Sequence, residues 1–349
     1  FFFFLNLNIS DLFVLFRAAG QVQLPILFLL FKSLKIAECV LNNKSKHTIV
    51  SEDDKKIVFK IKEKQNLTID SGCILKENMP KNPFLNMYFK YKHIIENISV
   101  SDFNINLLTK QIYNECVYDN GNVWGSSDTR NWGNSTSLVM RINNILNDND
   151  YKKMFGFEVN ENKDLISIID DFLKSDKNIL RIGFENVPYN FQVREILANA
   201  IGKYLLNLSR RDEFKKNPLV LFVDEAHQFL NKKVKDEYFE STELNSFDTI
   251  AKESRKYGLF LCIATQMPRD IPIGTLSQIG TFISHRLINH QDKEAIANAC
   301  SSANRDTLAF LPILGSGEAI LMGVDFPMPV MLKVDLPIIE PNSSTPLFK

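Results

Sequence analysis

The chain has 349 residues, 45% apolar and 23% charged, which is ordinary for a folded globular protein and long enough for two compact lobes. Its 41 Lys plus Arg balance 41 Asp plus Glu, which excludes a globally basic nucleic-acid coat and leaves room only for a local basic pore or groove. Five cysteines lie far apart with no C-x-x-C pair, which excludes a zinc-ribbon type of site and argues for reduced thiols in a cytoplasmic protein.

The opening run Phe1 to Leu5 and the stretch Leu24 to Phe31 are strongly apolar. A membrane helix needs about 20 uninterrupted apolar residues. Asp11, Arg17, Gln21, Gln23 and Pro25 break the run, and no basic segment or cleavage site marks a signal peptide. We therefore expect no membrane segment, but a buried strand end followed by two core helices. Ser10 and Asp11 are expected to cap a helix over residues 12–19, and Pro25 to open a second helix running to about Leu41.

Residues 42–81 are rich in Lys and Asn, and the alternating run Ile57 to Lys62 suits a strand or an edge hairpin. Residues 82–150 read as helices broken by the polar loop Asp119 to Gly125. Residues 42–162 are accordingly expected to form a mainly helical insertion.

From residue 163 the pattern changes. Residues 164–174 form an amphipathic helix pattern, 179–184 a strand, and 193–208 a long helix. Leu219 to Val223 is a continuous apolar run, as a buried parallel strand should be. Residues 247–257 are helical, 260–264 and 282–287 strands, and 293–300 helical, and residues 319–322 and 330–334 close as a hairpin or sheet edge. This alternation predicts right-handed βαβ units around a parallel sheet, an α/β fold.

The strongest chemical signal follows the run that ends at Val223. In open α/β sheets ligands sit beyond the carboxyl ends of strands, which would put Asp224 and Glu225 at the site. An Asp there can hold Mg2+, and an adjacent Glu can polarise water for in-line attack on a γ-phosphate. Two carboxylates at a helix start would serve as well for capping. The next strand ends in Thr265 and Gln266, whose amide could contact a γ-phosphate or position water, or simply bond within its loop.

Taken together these segments resemble the second half of the HerA/FtsK family of P-loop ATPases, to which the conjugative coupling proteins are related. Phe222 to His227 is similar to the family's Walker B segment, and Glu253 to Gly258 to its helix end. Ala264 to Pro268 resembles its sensor strand end, and Ser277 to Thr281 with Arg286 and Leu287 its following strand. The resemblance spans residues 176–336; it is weaker through residues 1–40, and residues 41–150 show none.

The resemblance implies a RecA-like P-loop NTPase core with a parallel sheet. Residues 1–41 would supply its N-terminal helical part, 42–162 the insertion, 163–336 the core with Walker B and sensor, and 337–349 a tail. It implies ATP and Mg2+ as cofactors, with Asp224 on the metal, Glu225 activating water and Gln266 sensing the γ-phosphate. Arg255, and as a second candidate Arg286, would reach a neighbouring subunit's nucleotide in a homo-hexameric ring with DNA through its pore; a surface ion pair is the plainer role for either. The family also implies a nuclease or other effector partner, as in DNA end processing and antiphage defence.

One departure stands out. No G-x-x-x-x-G-K-[ST] run occurs, so the loop that cradles phosphates with backbone N–H groups and a Lys is not among these residues. The expectation is a chain whose first core strand and phosphate loop lie upstream, and which alone does not hydrolyse ATP. A non-hydrolysing structural ring subunit and a secretion or conjugation ATPase are the alternatives. Lys232, Lys233 and Lys235 could face a pore or form a mixed-charge loop, and Trp124 and Trp132 could stack on bases or anchor a loop.

Overall fold

The structure, a computed structural model, describes residues 7–18, 20–63, 65–95, 103–155, 164–188, 192–230, 233–234, 242–303 and 305–339. The chain divides into two compact units, Phe1–Ile201 with Lys233–Leu244, and Gly202–Lys232 with Asn245–Lys349.

The first unit opens with α1 (Ile9–Phe16) and α2 (Gly20–Asn42). The α1 cap is Asn8, two residues earlier than expected. Its side chain accepts from Asp11 N at 2.9 Å while Asp11 Oδ2 accepts from Asn8 N at 3.1 Å, so Asp11 is the far half of a capping box. Left-handed Arg17 ends α1 at Phe16, short of residue 19. Pro25 sits inside α2, within its second turn, rather than opening the helix. From Ile26 to Val40, apolar side chains at helical spacing are buried.

Four antiparallel strands follow, β1 (Thr48–Glu52), β2 (Lys56–Lys62), β3 (Gln65–Asp70) and β4 (Cys73–Ile74), in that spatial order. The alternating run is thus an inner strand of a sheet, a feature the mainly helical expectation omitted. Helices then predominate: α3 (Lys81–Lys90), α4 (Lys92–Ile95), α5 (Leu108–Glu115), α6 (Thr129–Asn147), α7 (Asn149–Phe155) and α8 (Leu165–Leu173). The hairpin of β5 (Val117–Asn120) and β6 (Val123–Ser127) stands where a polar loop was expected. Gly121 at its tip, with φ +73, supplies the left-handed turn.

The core joins Ile36, Ala37 and Val40 of α2 to Phe59, Leu67, Ile69 and Ile74 of the sheet and to Phe84 and Met87 of α3. Within it Lys76 pairs with Glu115, both side chains almost fully buried. Ser33 Oγ donates to the same carboxylate at 2.6 Å and Gln111 Nε2 at 2.8 Å, so the charge removed from water has three donors. Trp124 packs edge-on against Phe84 and Trp132 against Tyr113, so both tryptophans anchor their own segments.

Residues 179–184 form no strand. Ile179 is 84% exposed, and the Phe184 carbonyl accepts from Val187 N at 3.1 Å in a turn rather than from a neighbouring strand. Next comes α9 (Val193–Arg210).

In the second unit β7 (Leu219–Val223) pairs in parallel with β10 (Leu259–Ile263), register Leu219 opposite Leu259 through Val223 opposite Ile263. The intervening β8 (Lys233–Val234) and β9 (Thr242–Glu243) form an antiparallel pair of the first unit. Between them and β10 lies α10 (Ser246–Glu253). Gly258 connects α10 to β10 at φ +84, where a Cβ would stand 2.1 Å from the Phe214 carbonyl oxygen. After β10 come α11 (Ile273–Leu276), β11 (Thr281–Ser284), α12 (His290–Ala299), α13 (Arg305–Phe310), β12 (Glu318–Gly323) and β13 (Phe326–Lys333).

The expected hairpin is β12–β13, and β11 joins it antiparallel. Among the described residues the fold is therefore α/β, with one parallel strand pair and four antiparallel sheets. β7 is not buried on both faces: Val220 is 47% and Phe222 73% exposed.

Candidate functional site

The parallel ladder continues past both strand ends and builds the site. Ala264 N donates to Val223 O at 2.9 Å, and Ala226 N donates to Ala264 O at 2.9 Å. These two bonds hold Asp224-Glu225 beside Thr265-Gln266, at the carboxyl ends of adjacent parallel strands, where α/β sheets place ligands.

Glu225 adopts the left-handed conformation, with φ 48 and ψ 45, unusual for a residue with a Cβ. Its N–H donates to Asp224 Oδ1 at 2.9 Å, and its carbonyl accepts from Gln228 N at 2.8 Å. Gln266 Nε2 donates to Glu225 Oε1 at 2.6 Å. The other oxygen, Oε2, is covered and makes no well-aligned hydrogen bond; His227 Nδ1 lies 3.3 Å from Glu225 Oε2. The same His227 Nδ1 lies 3.1 Å from Thr265 Oγ1, which also accepts from Met267 N at 3.1 Å. His227 thus bonds locally, bridging the two strand ends, and Thr265 is its partner, which the sequence did not single out.

Asp224 is exposed at the end of β7. No three His, Cys, Asp or Glu side chains among the described residues gather as a cage. One exposed carboxylate nevertheless suits Mg2+, which is commonly held by one or two carboxylates together with substrate phosphates and water.

Arg255 lies in the single helical turn that ends α10, and Arg286 just beyond β11; both are exposed. Among the described residues neither guanidinium bonds to Asp224, Glu225 or Gln266. The structure thus brings together Glu225, Gln266, His227 and Thr265, with Asp224 adjacent, and leaves the two arginines apart. Lys232 and Lys235 lie outside the described residues.

What the fold and site define is a class: an α/β protein whose acidic pair and a glutamine amide meet at the carboxyl ends of neighbouring parallel strands. Comparison with known proteins gives the particular likeness. Residues 200–345 match the family described as Helicase HerA-like C-terminal. The chain is 29% identical over 206 residues to "Probable helicase MJECL08" of Methanocaldococcus jannaschii, covering 56% of this chain and 37% of that protein.

It is 29% identical over 232 residues to the DNA double-strand break repair helicase HerA of Sulfurisphaera tokodaii, covering 62% of this chain and 45% of that one. The matched regions thus span less than half of these relatives. Among solved structures, the genome packaging NTPase B204 from Sulfolobus turreted icosahedral virus 2, in complex with ATP-gammaS, aligns at TM-score 0.32 and 18% identity over 40% of this chain and 62% of that one. That overlap is too loose to bear on function.

Proposed function

We propose that the natural protein containing this chain is an ATP-hydrolysing motor of the HerA/FtsK class that moves or remodels DNA as a homo-hexameric ring. The observation that carries the reading is the 2.6 Å contact between the Gln266 amide and the Glu225 carboxylate, made where two parallel strands end. Such a contact lets an amide that senses the γ-phosphate report to the base that activates water.

Glu225 accepts the proton of the attacking water; Gln266, now bonded to that carboxylate, turns to the γ-phosphate when nucleotide is present. Asp224 would hold Mg2+ against the phosphates, the metal supplying charge neutralisation to ATP. Arg255, with Arg286 as second candidate, serves a neighbouring subunit's nucleotide, for which an always-charged, bidentate guanidinium is suited. Their exposure and freedom from ion pairs among the described residues are consistent with such a role.

The phosphate loop is supplied from outside these 349 residues, so the chain alone does not turn over ATP. Residues 1–41, 42–162, 163–336 and 337–349 serve as core helices, insertion, ATPase core and tail. Among the described residues no helix is long and apolar enough to cross a membrane. A cytoplasmic site of action beside a nuclease or other effector completes the proposal; relatives named for DNA double-strand break repair support DNA as the partner.

The test is phosphate release and ATP retention by the natural full-length protein and its Glu225→Gln variant. The variant should retain ATP while releasing phosphate at least about 100-fold more slowly, the scale of a lost general base. Equal rates would remove Glu225 from that role, and no turnover in either protein would favour a structural ring subunit.

A further inference from the structure

Gln266 contacts Glu225 from an irregular segment, so something must fix that segment. Two contacts do so. One is Thr265, whose hydroxyl takes Met267 N and faces His227. The other starts from Asp292 on α12, remote in sequence and absent from the motifs. Its Oδ2 accepts from Arg269 Nη1 at 2.8 Å, and its Oδ1 accepts from Arg269 N at 3.3 Å.

One carboxylate therefore takes both the guanidinium and the backbone of a single residue, which fixes that residue's position and its orientation. Arg269 sits in the turn Pro268–Asp270, and Arg269 Nη2 also meets Met267 Sδ at 3.5 Å. The Asp292 side chain is only 6% exposed, so salt screens this pair less than a surface ion pair. Asn289 caps α12 by accepting from Gln291 N at 2.9 Å, leaving Asp292 free of capping duty.

We infer that Asp292 is a positioning residue for the sensor: through Arg269 it holds the turn from which Gln266 reaches Glu225. The inference rests on the ATPase reading above. Asp292 touches neither Asp224 nor Glu225, and it acts on turnover only through where Gln266 stands. Sub-ångström placement of such a group matters, since a shift of about 1 Å in a reacting constellation can cost a hundredfold in rate.

The experiment is steady-state ATP hydrolysis by the natural full-length protein and its Asp292→Asn, Asp292→Glu, Gln266→Ala and Gln266→Ala/Asp292→Asn variants, with Glu225→Gln as control. Asp292→Asn should lower kcat by about tenfold or more with KM for ATP changed less than about twofold. Asp292→Glu, which keeps the charge, should recover part of that loss. The double variant should be no slower than Gln266→Ala alone, because the pathway from Asp292 ends at Gln266.

A normal kcat in Asp292→Asn, or losses that multiply in the double variant, would overturn the inference while leaving the ATPase reading intact. An active Glu225→Gln, or a wild type without turnover, would overturn both. If Asp292→Asn does not fold, Arg269→Gln takes its place in the same comparison, with the same expected non-additivity.

Discussion

Glu225 shows how much one residue carries. Its left-handed backbone costs on the order of 1–2 kcal/mol for a residue with a Cβ. The neighbouring ladder bond from Ala226 N to Ala264 O holds the turn in place against that cost. Gly258 is the opposite case, a left-handed position filled by the residue it needs. Gly258→Ala should lower the unfolding free energy by about 2 kcal/mol or more, because φ is positive and the new Cβ meets the Phe214 carbonyl. Urea denaturation measures this, and a loss below about 0.5 kcal/mol would contradict the close approach.

Asp224, Glu225 and Gln266 could be singled out in the sequence because each lies within three residues of the end of an apolar strand run. Thr265 opposite His227, and Asp292 opposite Arg269, were not. Those pairs depend on side chains from different elements meeting in space, which spacing along one chain does not encode.

Among elements, those with strong periodicity were read well: β7, β10, the β12–β13 hairpin and the helices α9, α10 and α12. Strands lacking their own signal were missed. β1 (Thr-Ile-Val-Ser-Glu) and β3 (Gln-Asn-Leu-Thr-Ile-Asp) are short and polar, and become strands by pairing with β2. Residues 179–184 erred the other way, a strand-like run that forms no strand.

The elements of the first unit also set its response to pH. Cys73 in β4 and Cys116 just after α5 are buried, and burial pushes each thiol up from 9.0 to about 11. A folded pKa above the unfolded value contributes stability that is whole below pH 9 and is lost as pH rises through about 11. The loss should be on the order of 2 kcal/mol per thiol. Urea midpoints at about pH 8 and pH 10.5 test this, with Cys116→Ala expected to flatten the fall. Comparing the variant with the wild type isolates the thiol, since Lys76, lowered chiefly by desolvation despite Glu115, acts in the opposite sense. An unchanged slope in Cys116→Ala would contradict the assignment.

At the scale of the molecule, the balanced charge bears on how the proposed motor would meet DNA. With 41 charges of each sign there is no global attraction, so the proposed DNA contact would come from a local basic lining and would weaken with salt. The central claim is that ATP turnover at the Glu225 and Gln266 site is coupled to DNA. The measurement that tests it most directly is ATP hydrolysis by the natural full-length protein, with Mg2+, in the presence and absence of duplex DNA across a range of salt. The account predicts turnover that duplex DNA stimulates several-fold and that loses this stimulation as salt rises. A rate indifferent to DNA at low salt, with ATP hydrolysed normally, would contradict the coupling.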